Sequence, residues 1–539
     1  MTSIVDGRAA AISIFLIFVA GCLFVSMLTS PDLQDREDDF FTEHSRPWPL
    51  RQGFALTGDF ISAAGVLYLC GVVAVGSYDG ILILTAAALS PLLLKVWLAE
   101  RLPAGPGWSL GDVFARRLPP GASRRAAGVA TLVVSVPLLI AQLIPIGEMT
   151  ATLMGLPGKY GEIAGIVLVG VLIISCAAIG GVRSSSMLQI GKAIAFVVIA
   201  PLLAILVLAQ FHWDYGEVLS QAAQNSGLGD AYLAPGQLFG TSITGRIDTF
   251  SLALTVLLGL AAMPHLLMRL STSSSSEGAR RAMSWAVAAI CLLLVTAAVI
   301  GYGMQALIGM KGLNEAGPRG GNNILLLAAA LDGSDPNNPG SPGTLLTFIS
   351  CAAFLTVLAS ASVLLLAGSA AIVHDMGRVR ALPPGHGTVH GHIRARLALV
   401  LVGVVCVGLA VVGRGANAQF WLTLAYTEAA AVVVPALAYS LIRREFTMHG
   451  LRWCVYGGTL ITLALLALSP AVSGGPHALY PDLDFAYFPL HSPGLVSIPA
   501  GFALGALGSR RAPGSTIPAQ ADVRQSRERQ QPAGAGFTE

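Results

Sequence analysis

Thirteen apolar runs, most of about 20 to 30 residues and each bounded by charge, Gly or Pro, leave this chain few ways to fold. They lie at about residues 9–29, 53–77, 80–99, 126–153, 161–179, 185–210, 248–270, 282–308, 344–374, 394–413, 418–442, 452–470 and 493–509. A helix of about 20 residues crosses the hydrocarbon core of a bilayer. Backbone groups inside lipid must be satisfied within their own segment, which a helix achieves, and the runs lack the two-residue alternation of barrel strands. Of the 539 residues 54% are hydrophobic and 11% charged, too little polar surface for a soluble protein of this size. The reading is an all-α polytopic membrane protein with about 13 transmembrane helices. The first run has only Arg8 before it and ends in SPDLQD without a small-x-small cleavage pattern, so it is predicted to be a retained helix.

Positive residues in short loops stay on the cytoplasmic side of a membrane. Assigned to alternate sides of the runs, 26 of the 32 Lys and Arg fall on one side, Lys192 and Arg269 among them. Only Arg8, Lys159, Arg246, Lys311, Arg319 and Arg414 fall on the other. This predicts a plasma (inner) membrane protein with its N-terminus outside and its C-terminus in the cytoplasm, in contact with lipid and not with nucleic acid. Its oligomeric state is left open. The external loops at about 211–247 and 309–343 are expected to form short lids, and the tail from about Arg510, rich in Pro, Gln, Arg and Ala, a disordered segment. All seven Cys lie singly in or at the ends of apolar runs, as small core residues, so neither a disulfide nor a metal site is expected.

The run beginning at Gly53 carries an acid, Asp59, among Gly53, Gly58, Ser62, Gly65 and Gly71. A carboxylate within a membrane helix costs about 3 kcal/mol and normally faces a cavity, an ion or a partner, unless it snorkels to the interface. The small residues favour local unwinding, which frees backbone carbonyls for a cation. In the run at 344–374, Thr356 and Ser360 share a helix face and offer hydroxyl oxygens, although such hydroxyls also bond to their own backbone. Met263-Pro264-His265 marks a second break, where the proline removes a backbone hydrogen bond and the histidine adds a titratable group. Glu148 and Glu428 are the other acids within apolar runs.

Two other readings are weaker. Asp32, Asp35, Glu37, Asp38 and Asp39 suggest a magnesium-dependent prenyltransferase, but the second acidic cluster that such an enzyme needs is missing. His386, His390 and His392 lie in a Gly- and Pro-rich loop without Cys or paired acids and read as solvated loop. The chain is therefore not expected to be an enzyme.

GDFISAAG at 58–65, LIAQLIPIGE at 139–148, GGVRSSSMLQIGKA at 180–193, MPHLLMRL at 263–270, LLTFISCAAFLTVLA at 345–359 and SAAIVHDM at 369–376 together resemble the sodium:solute symporter family, within it the cation/acetate (monocarboxylate) branch. The resemblance implies a leucine-transporter-type fold, a 5+5 inverted repeat whose first and sixth helices are broken. It divides the chain into an N-terminal helix and cytoplasmic linker (1–52), an inverted-repeat transport core (53–443), two peripheral helices (444–509) and the tail (510–539). It implies secondary active symport of a small monocarboxylate such as acetate, propionate or pyruvate, with Na+ or H+ as coupling ion and no other cofactor. A non-transporting sensor or regulatory subunit, or a symporter of another small organic solute, are the alternatives.

Carried over residue by residue, the resemblance places sodium against Gly58, Ile61, Thr356, Ala359 and Ser360, with Asp59 tuning the break. It places the solute near Ser62, Ala63, Ala64, Met263, Pro264 and His265, with no intramembrane Lys or Arg clearly set to pair with it. Ser186 stands where many sugar and proline members carry an acid, and Val432-Val433-Val434-Pro435 replaces the acetate branch's Ser-Ala-Asn-Leu-Pro.

Overall fold

The computed structural model describes residues 2–30, 40–41, 48–99, 101–102, 109–154, 156, 158–271, 273, 275–315, 323–333, 343–377, 389–415, 417–475 and 478–510. The acidic run at 32–39, His386 and the tail beyond 510 lie outside them, as do the side chains of His390 and His392.

The described residues are almost wholly helical. In chain order the helices are α1 (Thr2–Leu28), α2 (Pro49–Phe60), α3 (Ala63–Gly76), α4 (Tyr78–Leu98), α5 (Leu110–Ala115), α6 (Pro120–Met154), α7 (Lys159–Gln210) and α8 (Tyr215–Asn225). They continue as α9 (Ile243–Ala261), α10 (Pro264–Ser271), α11 (Ser276–Glu315), α12 (Asn323–Asp332), α13 (Thr344–Ala370) and α14 (Val389–Val412). The last three are α15 (Ala418–Ile442), α16 (Met448–Ala467) and α17 (Gly494–Arg510).

Among the described residues nine helices are long and apolar enough to cross a membrane. The sequence drew four more runs: the first and last are short here, with an apolar stretch of Leu16–Leu28 in α1 and 17 residues in α17, and the other two have local reasons. The runs at 161–179 and 185–210 follow one another without a loop as α7 but remain two helices, because the chain turns at Gly181 (φ 57°) beside Phe40. The run at 53–77 is divided by a break into α2 and α3, of 12 and 14 residues, each short of a span.

That break follows from the sequence around it. Ile61 leaves the helical region (φ −84°, ψ 104°), and Ser62 caps the new helix, its hydroxyl accepting the Gly65 N–H at 2.9 Å. The second break has a different cause. Pro264 has no N–H to continue the ladder of α9, which ends at Ala261, but its fixed φ suits the first turn of α10.

The two breaks open the first helix of each half of the core: α2/α3, α4, α6 and the two parts of α7, then α9/α10, α11, α13, α14 and α15. The most apolar stretches of α13 and α15 are 83% and 89% buried within the protein, against 39% for α11, α14 and α16, so α13 and α15 form the centre. Exposed Ile17, Val198, Val295, Val412 and Leu460 present the outer helices to lipid. The loop after α7 folds back over α3 and α4: the buried Tyr232 hydroxyl donates to Ala74 O at 2.8 Å, and Asp79 accepts from the N–H groups of Gly236 and Leu238 at 3.0–3.1 Å.

Candidate functional site

At the first break α2 lies directly on α7, because Gly58 has no side chain: a Cβ there would stand 2.3 Å from Gln189 O. This contact brings the break against α13. The Ser360 hydroxyl donates to Ile61 O at 3.5 Å and accepts from the Lys192 ammonium at 2.9 Å. Three residues before Lys192 on the same face of α7, Gln189 Nε2 donates to Ala359 O at 3.1 Å. Gly58, Ile61, Ala359 and Ser360, expected to surround sodium, are thus together, and two of the oxygens are engaged by protein N–H groups. Thr356 lies one turn earlier on α13 and donates to Ala352 O at 2.6 Å, within its own helix.

Asp59, which is buried, pairs with Arg269 of α10, whose side chain is 11% exposed. Arg269 also donates to Ser186 Oγ of α7 at 2.8 Å. Gln52 Nε2 donates to Ser273 Oγ at 2.5 Å, a second tie between α2 and the end of α10. The two inner half-helices are therefore joined to each other and to α7.

A small cavity of about 20 Å³ lies at the two breaks, lined by Asp59, Ser62, Met263, His265 and Ser360 from the sequence-derived set, together with Phe60, Leu138, Leu260 and Tyr426. That is room for about one water. Pro264 opens α10 beside it, while Ala63 and Ala64 form the first turn of α3. A second cavity, of about 60 Å³, lies on the other side of the Asp59–Arg269 pair and is lined by Arg51, Gln52, Ser186, Met268 and Arg269; His265 lines both. In this conformation the first cavity is too small for even a two-carbon acid.

Sequence reasoning did not pick out Lys192, Gln189, Arg269 or Tyr426. No intramembrane Lys or Arg was expected to pair with the solute; Lys192 is fully buried against Ser360, one of the residues expected to hold sodium, and is not among the residues lining the cavity at the breaks. Counted with the cytoplasmic charges, it nevertheless lies two turns inside the run drawn at 185–210, and that was the available signal.

A separate polar joint sits at the end of α13. Ser109 and Asp112 form a capping box at the start of α5, and Asp112 accepts from Arg124 at 2.7 Å and from His374 at 3.1 Å. Burial pushes the Asp112 carboxyl up, but His374, the Ser109 N–H and Arg124 outweigh it and hold it at about 2. The stability this contributes is complete above the ordinary carboxylate range and is lost as pH falls through about 2. Asp112→Asn is expected to remove this acid sensitivity, read as a flatter dependence of the unfolding midpoint on pH between about 4 and 2.

The sequence profile of the sodium:solute symporter family matches residues 41–458. A monocarboxylic acid transporter of Corynebacterium glutamicum is 30% identical over 509 residues, covering 92% of this chain and 90% of the relative. The uncharacterized symporter YwcA of Bacillus subtilis is 28% identical, covering 93% and 95% of the two chains. In fold the chain is similar to a Na+-coupled sialic acid symporter in a substrate-bound outward-open state, with a TM-score of 0.66, 16% identity and coverage of 94% and 98%. It is also similar to Mhp1, a nucleobase-cation-symport-1 transporter in a closed conformation, with a TM-score of 0.51, 12% identity and coverage of 89% and 93%. The broken first and sixth core helices, the two successive five-helix halves and the profile match agree: this chain is a multi-pass membrane transporter, not an enzyme, and it belongs to the sodium:solute symporter family.

Proposed function

We propose that this protein carries a small monocarboxylate such as acetate, propionate or pyruvate across the plasma membrane, coupled to sodium or to protons, with its C-terminus in the cytoplasm. The observation that carries the choice of an anion is the charge at the site. Asp59 and Arg269 pair, and Lys192 adds an ammonium behind the cavity wall, one hydrogen bond from the lining residue Ser360. The N-terminal ends of α3 and α10 meet the same cavity through Ser62, Met263 and His265, and their dipoles favour negative charge there. Apolar Phe60, Leu138 and Leu260 limit the size of the rest of the molecule. The relative from Corynebacterium supports the same class of solute.

The energetics suit coupling. A monoanion moving with one cation carries no net charge, so voltage does not drive it, and the cation's chemical gradient or a second cation must do so. The test is uptake of labelled acetate, propionate and pyruvate into proteoliposomes under imposed sodium or proton gradients, with proline as a neutral comparator. Accumulation of a carboxylate above proline under at least one gradient is expected. If no carboxylate accumulates under either, the proposal is lost.

A further inference from the structure

We propose that the ammonium of Lys192 is a tethered cation that holds the position between α2 and α13 where a sodium ion would otherwise sit, so that this carrier binds no sodium there. The inference rests on the reading of the chain as a cation-coupled carrier, and it comes from how the oxygens are used. A sodium site at this junction needs several oxygens free to turn toward one point. Here Ser360 Oγ receives the Lys192 ammonium at 2.9 Å while its own proton is directed to Ile61 O at 3.5 Å. Ala359 O receives Gln189 Nε2 at 3.1 Å, while the Thr356 hydroxyl, one turn away, donates to Ala352 O of its own helix and keeps its lone pairs. Two donors one turn apart on α7 thus fill the junction of α2 with α13.

An ammonium is a suitable replacement. It carries the same unit charge as sodium, seeks oxygens, and brings three N–H donors on a flexible stem. It is fully buried, and Asp59, although paired with Arg269, is the acid that favours the ammonium across the break, against burial and the like charge of Arg269; the Asp59 Oδ1 is buried and without a hydrogen-bond partner. A sodium ion beside the ammonium would meet like charge at close range in a poorly screened interior. Binding sodium would therefore require the fully buried Lys192 side chain to leave Ser360.

The experiment reads the ion site without any solute, so failure of the monocarboxylate reading does not affect it. Thermal unfolding of the purified full-length protein is followed in sodium chloride and in choline chloride at equal ionic strength. The wild type and Lys192→Arg are expected to unfold at the same temperature in both salts. Lys192→Ala, which vacates the oxygens, is expected to gain about 3 °C in sodium. Lys192→Ser offers a smaller and more polar replacement should the alanine variant not fold. A sodium response of the wild type that Ser360→Ala removes overturns the proposal, and so does a folded Lys192→Ala or Lys192→Ser protein indifferent to sodium.

Discussion

Asp59→Asn lowers uptake about tenfold or more while the protein still inserts, because the substitution leaves Arg269 facing a neutral amide inside the protein. The pair joins the inner halves of the two broken helices, and Arg269 reaches on to Ser186 of α7. Asp59 lines the cavity at the breaks and Arg269 the larger cavity beyond, with His265 and Val363 lining both. Breaking a buried pair by removing one partner costs about 3–5 kcal/mol, since the remaining charge is uncompensated. Arg269→Gln alone should lower the unfolding midpoint. The double variant Asp59→Asn/Arg269→Gln should recover much of that loss without recovering uptake, which is the signature of a contact used in closure. Normal uptake by Asp59→Asn, per folded molecule, would reduce the pair to a structural brace.

Gly58→Ala has the second large effect. Its Cβ would stand 2.3 Å from Gln189 O, 2.8 Å from Gln189 C and 2.9 Å from Gln189 Cβ, and the first two are backbone atoms that cannot rotate aside. The substitution must therefore lift α2 from α7, at a cost of about 1–3 kcal/mol. It also moves Ile61 O away from Ser360, so uptake falls with stability. Gly191→Ala, two residues farther along α7, is the control. Nothing lies within 4 Å of its added methyl, and a helix-interior alanine is favoured over glycine by up to about 1 kcal/mol. Equal effects of the two substitutions would show that α2 and α7 are not in close contact during the cycle.

The spanning helices and both breaks were legible in the sequence because their causes are local. Apolar length forces a helix, the cap at Ser62 acts on a donor three residues away, and Pro264 interrupts its own ladder. Asp59 stood out for the same reason, as a charge in the wrong medium. The family resemblance brought Gly58, Ile61, Ala359 and Ser360 together on paper, and the tertiary structure gathers those four at one junction while Thr356 stays bonded to its own helix.

The partners of these residues were not legible. Arg269 reaches Asp59 across 210 positions, and Lys192 reaches Ser360 across 168. Charge counting placed both basic residues in the cytoplasm because it weighs each by its nearest apolar boundary and not by what packs against it. By itself, then, the sequence determined a helical membrane protein with two broken helices and an acid at the first break, all consequences of short-range chemistry in an apolar solvent. Only the tertiary structure decided which cation faces the oxygens at that break, because α7 delivers Lys192 to Ser360 only once α2, α7 and α13 are packed together.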